Sequence, residues 1–142
     1  MRIIIDADAC PSISRIEDIA LYHNIECLIF CDYNHRISSN YSTINIIDSG
    51  YQSVDMAIIN EAKINDIVIT QDYGLATLVL GKGGLAINPS GMIYDNSNID
   101  YLMNIRHVKA KIRKHSHLKG PKKRTKQDED KLIKNIIYLI TK

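Results

Sequence analysis

Short apolar runs alternate with segments of helical periodicity along most of the chain, and this alternation limits the fold more than any other feature. The runs are rich in β-branched side chains, as in "RIIID" and "DIVIT". Between them, segments such as "SRIEDIALYH" place apolar residues at helical spacing. Strands that are each followed by a helix are typical of a parallel sheet covered on both faces. The sequence therefore predicts a three-layer α/β/α fold with a mainly parallel central sheet.

The predicted elements run through residues 1–142 as one domain. Strands are predicted over 2–6, 26–31, 42–48, 66–70 and 85–88, with an edge strand at "MIY". Helices are predicted to begin at Pro11 and Ser12, to cover 53–62, to occupy "DYGLATLVLGKGG", and to cover 99–115 and 126–141. A basic connector, residues 116–125, precedes the last helix, and Thr125 and Asp128 have the spacing of a capping box.

Size and composition indicate an ordinary globular domain. The chain has 142 residues, of which 45% are hydrophobic and 24% charged. No apolar run approaches the ~18 residues of a membrane span, and the start lacks the plan of a signal peptide, so a cytoplasmic location is expected. Cys10, Cys27 and Cys31 lack the spacing of a zinc site or a disulfide framework, and we predict that they are small buried residues.

Charge is divided unevenly along the chain. Residues 1–105 carry 5 Lys/Arg and 13 Asp/Glu, a net charge of −8, whereas residues 106–142 carry 13 and 3, a net charge of +10. A block this basic predicts a polyanionic partner, nucleic acid first, although a charge run is often only a solvated surface.

Carboxylates follow two of the predicted strands. Asp6 and Asp8 come after "RIII", and Asp72 lies two residues past "DIVIT". Ligands of parallel α/β sheets bind at the carboxyl ends of the strands, and Asp55 would lie nearby in the first turn of a helix. If the two strands are neighbours, the four carboxylates converge, and they would repel one another without a cation among them.

The donor set indicates the cation and the reaction. Oxygen ligands favour a hard ion, so we predict that Asp6, Asp8, Asp55 and Asp72 are catalytic ligands of Mg²⁺ or Mn²⁺. One such ion, or two, would activate water and stabilise charge on a phosphate, which makes metal-dependent phosphodiester hydrolysis the predicted reaction. Structural roles remain open beside this one: Asp55 suits a helix N-terminus, and Asp8 and Asp72 could cap helices.

Four short blocks, "DADACP", "SVDMAI", "TQDYGLA" and "GPKKRT", occur in this order over nearly the whole chain. Together they resemble the YaiI/YqxD family of uncharacterised bacterial proteins, which is grouped with the PIN-like/NYN nucleases. The resemblance implies a PIN-like α/β fold, with metal-binding acids at the strand ends and cleavage of RNA with Mg²⁺ or Mn²⁺. It matches Asp6 to the first strand-end acid, Asp55 to the helix acid, and Thr70 and Asp72 to a Thr-x-Asp segment. Asp8 belongs to the family's own block.

Several polar residues are candidates for binding the substrate. Asn34 and Arg36 follow the second strand and should rise at the same edge as the acids, where His35 could act as a general acid. Ser53 and Thr70 adjoin the predicted acids. Solvated loop residues are an equally good explanation of the segment "DYNHR".

The "GPKKRT" block is expected to fold back over the acidic edge. Lys122, Lys123 and Arg124 would then meet the scissile phosphate. No aromatic residue is interleaved with these basic residues, so base stacking is not indicated.

Two other functions are compatible with the sequence. The basic segment could bind RNA without catalysis while the acids hold a structural metal. Alternatively, "DADAC" resembles the Asp-x-Asp of haloacid-dehalogenase-type phosphatases, although Ala9 and Cys10 replace the usual Thr or Val.

Overall fold

A computed structural model describes residues 1–35, 37–48, 52–116 and 123–142. Six strands form one sheet in the order β3-β2-β1-β4-β5-β6, and all neighbours are parallel except β6, which runs antiparallel to β5. The strands are β1 (Arg2–Asp6), β2 (Glu26–Asp32), β3 (Thr43–Ile47), β4 (Ile67–Ile69), β5 (Leu85–Ile87) and β6 (Ile93–Tyr94). The mainly parallel sheet and the edge strand at "MIY" are therefore confirmed.

Helices cover both faces of the sheet, which confirms the three-layer α/β/α prediction. They are α1 (Ile13–Tyr22), α2 (Val54–Glu61), α3 (Tyr73–Gly81), α4 (Asn96–Ser116) and α5 (Lys126–Thr141). α4 begins three residues earlier than predicted, because the Asp95 carboxylate accepts the N–H groups of Ser97 and Asn98 at 2.9 and 2.7 Å. No helix within the described ranges has the length and apolar character needed to span a bilayer.

Alternation along β1 divides its side chains between the two layers of helices. Ile3 and Ile5 pack with residues of α1 and α5, whereas Ile4 packs with residues of α2, α3 and α4. Successive strand residues point to opposite faces, so Asp6 continues this alternation on the side of Ile4. The last residue of the strand is thereby directed toward α2 and α3.

The strand order reverses direction at the centre of the sheet. From β1 the chain proceeds outward to β2 and β3, and then returns through α2 to β4 on the other side of β1. Such a reversal leaves a crevice outside the carboxyl ends of the two central strands, where α/β proteins bind their ligands. Here the crevice lies between the ends of β1 and β4.

The final helix is seated closely on the turn between β5 and β6. Its start carries the predicted capping box of Thr125 and Asp128, and Leu132 and Ile136 are buried against the sheet. The turn reaches α5 at Gly91, whose φ is +95° and whose carbonyl accepts from the Asn135 side-chain amide at 2.5 Å. This contact joins α5 to the turn between β5 and β6.

The three cysteines are all buried, as predicted. Cys10 and Cys27 pack in the apolar cluster under α1 and α5, and Cys31 is also fully buried in β2. Burial raises the pKa of the Cys27 thiol to about 11, which keeps it protonated and unreactive.

Replacing Gly91 by Ala should destabilise the protein by about 2–3 kcal/mol, because its φ is strained for an L-residue and the added methyl would overlap α5. A Cβ there would lie 2.6 Å from the Leu132 nitrogen and 2.7 Å from the Lys131 carbonyl carbon. Gly81→Ala is the matched control: a Cβ there meets nothing within 4 Å, so the change should be neutral or stabilising by up to about 1 kcal/mol. Urea denaturation measures both, and equal effects of the two changes would contradict the prediction.

Candidate metal site at the carboxyl ends of β1 and β4

Thr70 connects the two central strands at their carboxyl ends. Asp6 ends β1 and is 7% exposed, and Thr70 follows β4 and is 0% exposed. The Thr70 hydroxyl donates to Asp6 Oδ2 at 3.1 Å and accepts the backbone N–H of Asp72 at 3.0 Å. The Tyr94 hydroxyl donates to the Thr70 carbonyl at 3.1 Å, which fixes the backbone at Thr70. Thr70 therefore orients Asp6 and Asp72. Because it is fully buried, we assign it a positioning role in place of the predicted contact with substrate.

Asp72 both caps a helix and belongs to the acidic cluster. Its Oδ1 accepts the N–H of Leu75 at 3.1 Å, so Asp72 is the N-cap of α3, which was the structural role left open for it by the sequence. Gly74 makes room for this carboxylate, because a Cβ there would lie 3.1 Å from Asp72 Oδ1. The cap fixes the orientation of the carboxyl group at the end of β4.

Asp55 lies in the first turn of α2 and meets Asp72 across the crevice. A hydrogen bond between the two carboxyl groups, then burial, then the charges of Asp72, Asp6 and Asp8 raise the pKa of Asp55 to about 7. Burial is also the main cause that raises the pKa of Asp6, and the charges of Asp8 and Asp72 add to it, although the Thr70 hydrogen bond opposes them. The cluster therefore favours binding a positive charge or retaining a proton.

A second group of potential ligands adjoins the first. His35 Nδ1 lies 2.8 Å from Asp32 Oδ1 and 3.7 Å from Asp8 Oδ1. One ligand atom from each of these three residues lies within 4.8 Å of the others. Among the described residues, Asp6, Asp55 and Asp72 do not form so compact a set, and Asp8 lies close to Asp32 and His35 instead.

The His35–Asp32 contact changes the proton affinity of both side chains. The hydrogen bond between them lowers the pKa of Asp32 and raises that of His35, and their opposite charges act in the same direction. His35 is exposed, as a group that exchanges protons with a substrate must be.

The acids open into a cavity of about 320 Å³, near the lower end of the range for small-ligand pockets. Three of the four predicted acids line it, and Asp72 is linked to it through its hydrogen bond with Asp55. Four of the lining residues are acidic and four are apolar or neutral: Asp6, Asp8, Asp32, Asp55, Ile47, Gln52, Ser53 and Val54.

The polar residues predicted to bind substrate are placed differently from one another. Ser53 is exposed and lines the cavity, while its hydroxyl accepts the N–H of Met56 at 3.1 Å as the N-cap of α2. Asn34 is exposed in the turn after β2, where its N–H donates to Asp32 at 2.9 Å. Arg36 lies outside the described residues.

Arg124 is partly held by the protein itself. Its guanidinium donates to the Pro89 carbonyl at 2.8 Å and to the Ser12 hydroxyl at 2.6 Å, and its contact with a phosphate stays a prediction. Lys123 beside it is exposed, and Lys122 lies outside the described part of the chain.

Asp32 is the residue of this site that sequence reasoning missed. The prediction ended β2 at Cys31 and assigned Asp32 to the loop, whereas the strand continues through it. The available signal was that "ECLIFCD" ends in a carboxylate, as "RIIID" does, and that the two runs were predicted as successive parallel strands.

Fold and site together define an α/β protein whose acidic residues gather where the strand order reverses. The chain belongs to the YaiI/YqxD family: the model described as "Uncharacterized BCR, YaiI/YqxD family" matches residues 4–142. A UPF0178 protein of Clostridium tetani is 54% identical over 143 residues, which cover 100% of this chain and 98% of that protein. UPF0178 proteins of Clostridium novyi and Clostridium kluyveri are 52% and 50% identical, covering 100% and 99% of this chain and 96% and 93% of theirs. No solved structure matches the chain.

Asp55→Asn should stabilise the metal-free protein more at pH 8 than at pH 5. Because the folded-state pKa of Asp55 is about 7, against about 4 in the unfolded chain, the folded protein holds a proton that unfolding releases between these values. The wild-type free energy of unfolding therefore falls as pH rises from about 4 to about 7. Asn does not ionise, so the variant does not lose this stability. Thermal unfolding in a chelator at both pH values measures the difference.

Asp100→Asn is the matched control, since Asp100 is exposed on α4, whereas Asp55 and Asp72 belong to α2 and α3. It should change the melting temperature equally at the two pH values. A wild-type protein and an Asp55→Asn variant with parallel pH dependence would contradict the shared proton.

Proposed function

We propose that this protein is a metal-dependent nuclease that hydrolyses phosphodiester bonds in RNA at the crevice between β1 and β4. The observation that carries the proposal is the contact between Asp55 and Asp72 beside the buried Asp6. Carboxyl groups this close must share a proton or a cation, and a divalent cation can replace the proton.

The donor atoms fit a hard divalent ion. Asp6, Asp55 and Asp72 offer oxygen only, which suits Mg²⁺ or Mn²⁺, and these residues would hold the ion together with Asp8. When bound, such an ion lowers the pKa of water and stabilises the charge that develops on a phosphate oxygen.

The chain's own residues contribute orientation and proton transfer. Thr70 holds Asp6 Oδ2, and the N–H of Leu75 holds Asp72 Oδ1, so both carboxylates are preorganised before substrate binds. Asp32 contacts Nδ1 of His35 and raises the pKa of the ring, which leaves Nε2 to donate a proton to the leaving oxygen.

A polyanionic substrate is supported by the charge of the chain. Residues 106–142 have a net charge of +10, and Lys109 and Lys123 are exposed. Cation-rich surfaces of this kind bind phosphate backbones in a salt-dependent manner. The preference for RNA rests on the resemblance to PIN-like nucleases, so DNA belongs among the test substrates.

Purified protein should cleave single-stranded or structured RNA with Mn²⁺ or Mg²⁺ and should be inactive in a chelator. Asp6→Asn and Asp72→Asn should each lower kcat/KM by at least about a hundredfold, since each removes a carboxylate that would hold the cation, and the cation would stabilise the negative charge of the transition state. Asn is itself a good N-cap, so Asp72→Asn keeps α3 capped and separates catalysis from folding. End-labelled RNA and DNA resolved on denaturing gels give the rates, with Asp100→Asn as the control.

The two other functions predict different results when RNA binding, RNA cleavage and phosphatase activity are measured. RNA binding without turnover in wild type and variants alike would indicate a non-catalytic RNA-binding protein and would overturn the nuclease. Release of phosphate from small phosphoesters, inhibited by beryllofluoride, would instead indicate a phosphatase that forms an aspartyl-phosphate.

Thr70→Val should weaken Mn²⁺ affinity by about tenfold to a hundredfold, because residues that orient metal ligands contribute on that scale. The buried Val keeps the shape of Thr but cannot donate to Asp6 or accept from Asp72. Thr70→Ser keeps the hydroxyl and should retain most of the affinity. Isothermal titration calorimetry measures both variants, and equal losses in Val and Ser would show that packing, rather than the hydroxyl, matters.

A further inference from the structure

Arg124 joins three separate parts of the fold on the α1 and α5 side of the sheet. Its Nη2 donates to the hydroxyl of Ser12 at 2.6 Å, and its Nε donates to the carbonyl of Pro89 at 2.8 Å. Ser12 precedes α1, Pro89 follows β5, and Arg124 itself directly precedes the N-cap of α5. All three points lie toward the carboxyl ends of the parallel strands, where the acids also lie.

The Ser12 hydroxyl serves Arg124 rather than its own helix. Ser12 is the N-cap of α1, but its side chain accepts no backbone N–H, and its φ and ψ of −102° and 30° depart from the extended conformation usual for a capping residue. Ser12 is also only 3% exposed, so its hydroxyl needs a partner within the protein. The guanidinium of Arg124 is the partner that the structure provides.

This anchor fixes the backbone at Arg124, which directly follows Lys123. Lys123 is exposed and is joined directly to Arg124, so its backbone lies at the same edge of the sheet. The acids lie on the opposite side of that edge, where Asp55 and Asp72 belong to α2 and α3. A polynucleotide seated over the acidic cavity would meet Lys123 as it crosses the edge.

We propose that Arg124 is a positioning residue whose hydrogen bonds to Ser12 and Pro89 hold Lys123 against a backbone phosphate of the bound RNA. This inference rests on the nuclease function proposed above, but it concerns substrate binding and can fail separately. The Nε and Nη2 groups of Arg124 already donate to Pro89 and Ser12, so the proposal gives the phosphate contact to the neighbouring Lys123.

RNA affinity of the full chain separates this role from direct phosphate binding. Ser12→Ala removes no charge and no helix cap, yet it should release Arg124. We expect the dissociation constant and KM for RNA to rise about tenfold, which corresponds to one charge-assisted hydrogen bond. Arg124→Gln should have a similar effect with kcat unchanged, and the double variant should be no weaker than Arg124→Gln alone. Arg124→Lys should not restore affinity, since an ammonium cannot reproduce the two-point contact.

The salt dependence of RNA affinity tests whether Arg124 has more than a structural role, because a structural role alone would leave it unchanged. Loss of one phosphate contact lowers the slope of log affinity against log salt by about 0.7 for a single strand. Lys123→Ala and the uncharged change Ser12→Ala should both lower it by this amount, and combining them should lower it no further. Lys142→Ala, at the other end of α5 and about 24 Å away by helical rise, should leave it unchanged.

Failure of the proposed role of Arg124 can be distinguished from failure of the nuclease proposal. Asp6→Asn should abolish cleavage but keep RNA affinity, whereas Ser12→Ala should weaken affinity but keep kcat. If Arg124→Lys binds like wild type while Ser12→Ala changes nothing, Arg124 binds phosphate directly and the proposal is wrong. It is also wrong if these variants lower only the melting temperature, or if the wild-type protein binds no RNA.

Discussion

The hydrogen bond between Thr70 and Asp6 is the contact on which the candidate site depends. It joins residues 64 positions apart, and it exists because β1 and β4 pair in parallel with Ile5 opposite Ile69. A shift of one residue in this register would turn one of the two side chains to the other face of the sheet. The site is therefore a consequence of strand pairing at the centre of the fold, where the isoleucines of β1 and all of β4 are fully buried.

Several residues serve structure and proposed chemistry together. Asp72 caps α3 while its carboxyl group meets Asp55, and Ser53 caps α2 while it lines the cavity. Holding carboxyl groups this close opposes stability in the absence of a cation, and the caps and the Thr70 hydroxyl offset that cost locally. The structural and functional explanations of these acids are therefore compatible.

The two layers of helices divide the proposed work at the carboxyl edge of the sheet. The α2 and α3 layer supplies Asp55 and Asp72, which would hold a cation with Asp6, and Arg124 before α5 is hydrogen-bonded to Ser12 before α1. This arrangement gives a physical meaning to the net charges of −8 and +10 on the two parts of the chain. The acidic part would bind the metal, and the basic part would bind the phosphate backbone around it.

The sequence by itself determined the elements, the layers and the acids at the ends of strands. Apolar periodicity, the capping box of Thr125 and Asp128, and the carboxylates that follow "RIII" and "DIVIT" are local patterns, and local patterns can be read in one dimension. Only the tertiary structure decided that Thr70 orients acids, that Asp8 lies close to Asp32 and His35, and that Arg124 is an anchor. Those roles depend on partners as far as 112 positions away, and no local spacing specifies which distant atoms a side chain will meet.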